Sequence, residues 1–396
     1  MKTQALIALI VFPIAVQAQQ LSLDQALSKA RESRRAVLAA QLDVDRAKLS
    51  ARALGAYPAL TVGIGQSSRE GLGATDQDFF VSQPIDLFGR TAASAKFGRA
   101  NVLIAEAERR RMLLAVQSDV MTAYFEASAA TRLSKVAEDL LQVAEDLHKA
   151  TVRRFEEGKI PEVQLTRATI EFDRAKQTFA LRDAQLRAAL KKLSAATGSD
   201  EPIASIEVGA TVVNPEVNLA QHPAIMVFSA QASAAQAETV VAARSNLPEL
   251  ELVGLRTPWR ESSPSYGLRL QLTWRAIDFG RSRFERGAAT KQAESFQALL
   301  KDARTKAEAS IASIDIEIEA SRKRLSSYEA IREAAKDLVA KSQRGFAEGF
   351  GTLLDVLEAT RSLREIEQEL AEAQLAVNLA LASKYEASGN LIEVKK

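Results

Sequence analysis

Gly267–Arg275 reads GLRLQLTWR. Leu268, Leu270, Leu272 and Trp274 alternate with Arg269, Gln271, Thr273 and Arg275, which predicts a strand with one apolar and one wet face. Shorter alternations occur at Leu250-Leu252, Leu60-Val62-Ile64 and Phe79-Val81. Together they predict two β-hairpins, over 59–86 and 249–277. The first turns through Gly71, Gly73, Asp76 and Asp78, the second through Pro258, Ser262, Ser263 and Pro264. Four strands in one chain leave open edges, a route to aggregation. Strands pooled from several chains would close into a barrel, the one sheet form a bilayer admits, with Trp274 or Tyr266 near an interface. A small amphipathic sheet capping a soluble coiled coil fits the same alternation.

The hairpins belong to a unit written twice. At a spacing of 191, Phe88-Gly89-Arg90 meets Phe279-Gly280-Arg281, Arg153 meets Arg344, Phe155 meets Phe346, Gly158 meets Gly349, and Gly198 meets Gly389. The spacing holds from Phe88 to Gly198, so the helical part carries no net insertion. Each unit opens a helix on a cap, Ser22-Leu-Asp-Gln25 or Asn218-Leu-Ala-Gln221, with Pro223 at the first turn of the second. The opening helix stops before Pro58 or Pro248, and the hairpin follows. Then comes a Pro-free stretch, 91–156 or 282–347, a glycine turn and a returning helix. The first unit is 19–198, the linker 199–217, the second unit 218–389 and the tail 390–396.

Leu133, Val136, Leu140, Val143 and Leu147 recur by alternating threes and fours, as do Leu363, Ile366, Leu370, Ala373, Val377 and Ala380. A helix of some 66 residues is about 100 Å long. It demands a coiled coil, a long bundle or an α-helical barrel. A net charge of +2 gives no electrostatic case for nucleic acid, and the lack of Cys removes disulfides, thiolate metal sites and Cys nucleophiles. His148 and His222 stand far apart, His148 expected toward solvent and His222 beside a helix start. No P-loop or dinucleotide motif is present, so no enzyme, metal site or cofactor is expected. Residues 1–18 combine Lys2, an apolar run from Ala5 to Val16 and Val16-Gln17-Ala18, the layout of a cleaved signal peptide. Without a Cys after it, no lipid anchor is expected, and no later run is long enough for a spanning helix.

Gly349-Phe-Gly-Thr-Leu-Leu-Asp355-Val-Leu-Glu358-Ala359 follows a Phe-x-x-Gly turn. With the signal peptide, the duplicated helix–hairpin–long helix–helix order, the Pro-x-Leu lead into each hairpin and Leu87-Phe-Gly-Arg90, it resembles the outer-membrane efflux (TolC-like) family over nearly all of the mature chain. His222-Pro-Ala and the short linker resemble its heavy-metal (Czc/Cus-like) branch. The resemblance implies a mainly α protein forming a homotrimer, with a twelve-stranded membrane β-barrel above an α-helical barrel in the periplasm. It implies an exit duct working with a periplasmic adaptor and an inner-membrane RND-type transporter. Gly158, Gly349, Phe155 and Phe346 would mark the adaptor-contacting tips, and Arg269, Gln271, Thr273 and Arg275 the lumen face of a strand. Asp355 and Glu358 share a helix face and would form acidic rings at the aperture. Their counterparts in the first unit, Gln164 and Arg167, are neutral and basic, which allows an Arg167–Glu358 contact between neighbouring helices. The rival reading is a soluble periplasmic coiled-coil adaptor or structural spacer. Cargo stays open among metal ions, drugs and a polypeptide.

Overall fold

The computed structural model describes residues 20–68, 75–199, 201–210, 212–257 and 265–393. The leader and the loop residues Gly71, Gly73, Pro258, Ser262, Ser263 and Pro264 lie outside them. The elements run α1 (Leu23–Ser33), α2 (Arg35–Leu54), β1 (Thr61–Ser68), β2 (Thr75–Ile85), α3 (Arg90–Glu156), α4 (Glu162–Thr197), α5 (Pro223–Arg244), β3 (Glu249–Thr257), β4 (Ser265–Thr273), α6 (Arg281–Glu348) and α7 (Leu353–Ser388). At 67 and 68 residues, α3 and α6 are each about 100 Å long. They form the long axis of the molecule, and the shorter helices lie along them end to end.

Toward the sheet the packing order is α2, α3, α5, α6; toward the opposite end it is α4, α3, α7, α6. The helices thus lie side by side as a wall, which explains the dominance of Ala among buried positions such as Ala100, Ala107, Ala234 and Ala303. Small side chains let parallel cylinders approach closely. The Leu133–Leu147 stripe of α3 is covered from two sides by Ala175 and Thr178 of α4 and by Leu357 and Thr360 of α7, leaving about 70 Å³. Buried Lys384 of α7 meets Asp315 of α6 at 2.5 Å, so the charge inside the wall is paired.

Midway, a belt of local structure wraps the wall. Leu21 bridges Ile206 of the linker, and buried Tyr124 donates its hydroxyl to the Glu207 carbonyl at 2.7 Å. Ser22 completes its capping box with Gln25. The helix it starts is not continuous to Leu54. Arg34 adopts an extended conformation and splits it. The cause is tertiary: Gly198, ending α4 at φ +68°, packs on Ser33 and Arg34, and Arg34 caps the Ala195 carbonyl and pairs with Asp119 at 3.1 Å. In the second unit Asn218 holds only a 3₁₀ turn, Leu219–Gln221, by accepting from Ala220 N; the main helix starts separately at Pro223.

The sheet is antiparallel in the order β1-β2-β3-β4. Its register puts Leu268, Leu270, Leu272, Leu250, Leu252, Val81 and Val62 on one face, with Arg269, Gln271, Thr273, Glu251 and Ser82 on the other. No helix packs on either face among the described residues, so Leu268 is 83% and Leu270 65% exposed. The Ser82 hydroxyl donates to Glu251 on the polar face. Gly63 makes room there for the Phe80 ring, which a Cβ would strike at 2.1 Å. One boundary differs from the sequence expectation: β4 ends at Thr273, so Arg275 and Trp274 fall beyond the ladder. Thr273 pairs with Glu249, and the next residue of the partner strand is Pro248, which has no N–H to donate.

Candidate functional site

The end of the wall remote from the sheet is built from two unlike turns. At the first, α3 ends on Gly158 (φ +71°), where Lys159 N donates to the Arg154 carbonyl at 2.9 Å and Gly158 N to that of Phe155 at 2.8 Å. Pro161 then leads into α4 without a side-chain cap. At the second, Gly349 (φ +88°) ends α6, and Phe350 N and Gly351 N both donate to the Gly345 carbonyl at 2.9 and 2.8 Å. Thr352 starts α7 with a capping box: its hydroxyl accepts from Asp355 N at 3.2 Å, and its own N–H donates to the Asp355 carboxylate at 2.8 Å.

The tips are tied together. Arg154 of α3 places its guanidinium 4.3 Å above the Phe346 ring and donates to the carbonyls of Phe346 and Ala347, at 2.5 and 3.0 Å. Phe346, Leu353 and Val356 close with Ala168 into a small core. The expectation that Phe346 presents itself at the tip is therefore corrected: it is 5% exposed, under Arg154. Phe155 is partly exposed. The most exposed aromatic of the second turn is Phe350, at 90%. It aligns with Lys159 across the repeat, so the repeat comparison gave no aromatic signal for it.

Asp355 and Glu358 do share a face. Both line a shallow groove beside Phe350, with Leu338 and Lys341 of α6. The Thr352 hydroxyl, and then its N–H, hold the Asp355 carboxyl below its ordinary range, so it is charged at neutral pH. Gln164 is half-buried and Arg167 exposed on α4. Among the described residues no ion pair within the chain joins Arg167 to Glu358, although α4 and α7 meet through Ala168, Leu353 and Val356.

His148 departs from its expected solvent position. Its ring stacks on Phe172 at 5.3 Å and its Nε2 lies 3.2 Å from the Thr169 hydroxyl, between α3 and α4. His222 precedes α5, and burial pushes it below its ordinary pKa against the opposing charge of Glu386. No group of three or more potential metal ligands occurs among the described residues.

At the other end, β2 has eleven residues and β4 nine, about 37 and 31 Å at strand rise. These lengths match a hydrocarbon core crossed by tilted strands. Tyr266 and Trp274 bracket β4 on its apolar side, about 27 Å apart. Trp274 is oriented by donating its Nε1–H to the Asn246 carbonyl at 3.1 Å.

The description "Outer membrane efflux protein" fits residues 26–199 and again 214–390, one match per repeat. The chain belongs to the outer membrane efflux protein family. An outer membrane efflux protein is a conduit of the outer membrane rather than an enzyme. The nickel and cobalt resistance protein CnrC of Cupriavidus metallidurans is 26% identical over 251 residues, 62% of this chain and 59% of that protein. The nickel-cobalt-cadmium resistance protein NccC of Alcaligenes xylosoxydans xylosoxydans is 25% identical over 262 residues, 64% and 59%. The match thus spans about 59% of the length of either relative. Among solved structures, CusC superposes with a TM-score of 0.79 at 20% identity, covering 92% of this chain and 91% of that one. VceC of Vibrio cholerae gives 0.77 at 18% identity, covering 93% and 96%. The efflux-protein fold therefore extends over the whole described wall and sheet.

Proposed function

We propose that this chain is the outer-membrane exit duct of a tripartite efflux pump, passively conducting substrate from periplasm to exterior. It does so as a homotrimer whose three four-stranded sheets close into a twelve-stranded barrel. The observation that carries this reading is the free-standing sheet: one face apolar and uncovered, strands of membrane-crossing length, and open edges at β1 and β4. A soluble spacer would bury or lack such a face, so the coiled-coil alternative is disfavoured.

In this reading Arg269, Gln271 and Thr273, with Glu251, face the lumen, and Leu268, Leu270 and Leu272 face lipid. The tips at Gly158 and Gly349, with Phe155 and Phe350 exposed beside them, meet a periplasmic adaptor, which links the duct to an inner-membrane RND-type transporter supplying the energy. Asp355 and Glu358 make acidic rings at the aperture, with Arg167 and Gln164 as their neighbours in the closed trimer. Residues 1–18 are removed on export. The cargo is divalent metal cations, by analogy with relatives named for nickel, cobalt and cadmium resistance. Acidic rings suit that cargo.

The test is conductance in planar bilayers. The purified protein is expected to form cation-selective pores, and Asp355→Ala with Glu358→Ala to lower that selectivity and widen the pore. In a pump-free strain the same double variant should admit bulky antibiotics; unchanged permeability would sink the ring assignment. Absence of any conductance would sink the duct itself.

A further inference from the structure

The two Phe-Gly-Arg corners, where sheet meets helix, have the same sequence and unlike surroundings. At the first, Gly89 is left-handed (φ +65°) and Asp86 caps α3 through the N–H groups of Arg90 and Thr91, both at 2.8 Å. Arg90 then reaches sideways to the open C-terminus of α5. It donates through Nε to the Arg244 carbonyl at 3.0 Å, through its Nη groups to the carbonyls of Ser245 and Leu247, and to the Glu249 carboxylate. Arg244 returns a bond to the Gly89 carbonyl. The Arg244 and Ser245 carbonyls stand at the helix end, where acceptors lack intrahelical partners.

At the second corner, Gly280 is again left-handed (φ +89°), and Asp278 accepts from the N–H groups of Gly280 and Ser282, at 3.0 and 2.9 Å. Yet among the described residues Arg281 pairs only with its own helix neighbour Glu285, at 2.7 Å, with 74% of its side chain exposed. Around it Ile277 is 77%, Phe279 94% and Phe284 73% exposed, whereas Ala93, which aligns with Phe284, is buried at 3%. Phe279 also holds a left-handed φ of +51°, a strained conformation for a side chain of that size. The helix end equivalent to that of α5 is the end of α2, at Leu54 and Gly55. In the chain α2 packs on α3 and turns Leu38, Leu42 and Leu49 outward, away from α6.

The repeat order supplies the occupant. The helix that follows β2 lies beside the helix that precedes β3, just as β2 pairs with β3. The same step carried on from β4 leads to β1 and α2 of a second copy. We propose that Arg281 is the clamp that closes the ring. Its guanidinium docks on the carbonyls of Leu54 and Gly55 at the end of α2 in the neighbouring copy, and Phe279 and Phe284 are covered by that copy's α2. This rests on the trimeric duct proposed above and deepens it, since it assigns the subunit boundary to a named side chain whose repeat counterpart, Arg90, makes the equivalent contact inside the chain.

The test uses the full chain in detergent. Subunit exchange between isotopically light and heavy trimers, followed by native mass spectrometry, should quicken about 10- to 100-fold in Arg281→Ala, the loss of about one charge-assisted hydrogen bond, and less in Arg281→Lys. The chain has no Cys, so thiols introduced by Arg281→Cys and Leu54→Cys are unique. A short bismaleimide should then give a covalent ladder ending at three chains in the double variant and none in either single variant. A wild-type trimer whose exchange is unchanged by Arg281→Ala overturns the clamp and leaves the duct standing, with or without the ladder. A wild type that never assembles overturns both.

Discussion

Leu270→Arg places a charge on the face assigned to lipid. Leu270 is the sixth of nine residues in β4, about 17 Å from Ser265 and about 10 Å from Thr273, so it sits near the middle of the hydrocarbon. It is 65% exposed in the single chain with no helix over it. A charge at that depth on the lipid face of a barrel costs about 2–4 kcal/mol, or about 30- to 700-fold in the folding equilibrium of each chain. Gln271→Arg adds the same charge one residue later on the opposite face, beside Glu251, and should shift the equilibrium by no more than about 0.5 kcal/mol. Folding of both variants into vesicles across a urea series, read by Trp fluorescence, measures the difference. Equal destabilisation, or a greater loss for Gln271→Arg, would refute the assignment of faces and with it the barrel.

Arg154→Ala unties the two tips; amide exchange at 346–352 should quicken about 10- to 100-fold by mass spectrometry while the sheet is unaffected. Gly158→Ala and Gly349→Ala each force a side chain into a left-handed φ, where the Cβ itself has open space. Each should cost about 1–2 kcal/mol, read as a lowered midpoint of thermal unfolding. Thr352→Ala removes the cap of α7 and should cost about 1 kcal/mol locally. Because Thr352 holds the Asp355 carboxyl below its ordinary range, the contribution of that pair is present above the unfolded pKa and lost as pH falls through the folded one. Exchange at the start of α7 should therefore quicken below roughly pH 4, and Thr352→Ala should flatten that dependence.

The long helices were legible because a rigid packed element tolerates no insertion. Phe88-Gly-Arg90 and Phe279-Gly-Arg281 fixed their starts, and Gly158 and Gly349 their ends, to within a residue or two. The strand faces were legible from the Leu268–Thr273 alternation, because successive side chains of a strand point to opposite faces of its sheet. The break at Arg34 was not, since neither Pro nor Gly marks it and Gly198, distant in sequence, causes it. Phe346 read as a tip residue because it stands three residues before Gly349, as Phe155 does before Gly158. What buries it is Arg154, whose own repeat partner is Gly345 and gives no signal. The contacts of Arg90 were hidden for a different reason: its acceptors are mostly backbone carbonyls, which every sequence possesses.

Three chains are expected to pool their strands in a membrane, and native mass spectrometry of protein extracted from isolated outer membranes tests this directly. An assembly of three chains, recovered only with detergent, is the expected result. A monomer or dimer released from the periplasm without detergent would mean that Leu268, Leu270 and Leu272 never meet lipid, and would contradict it.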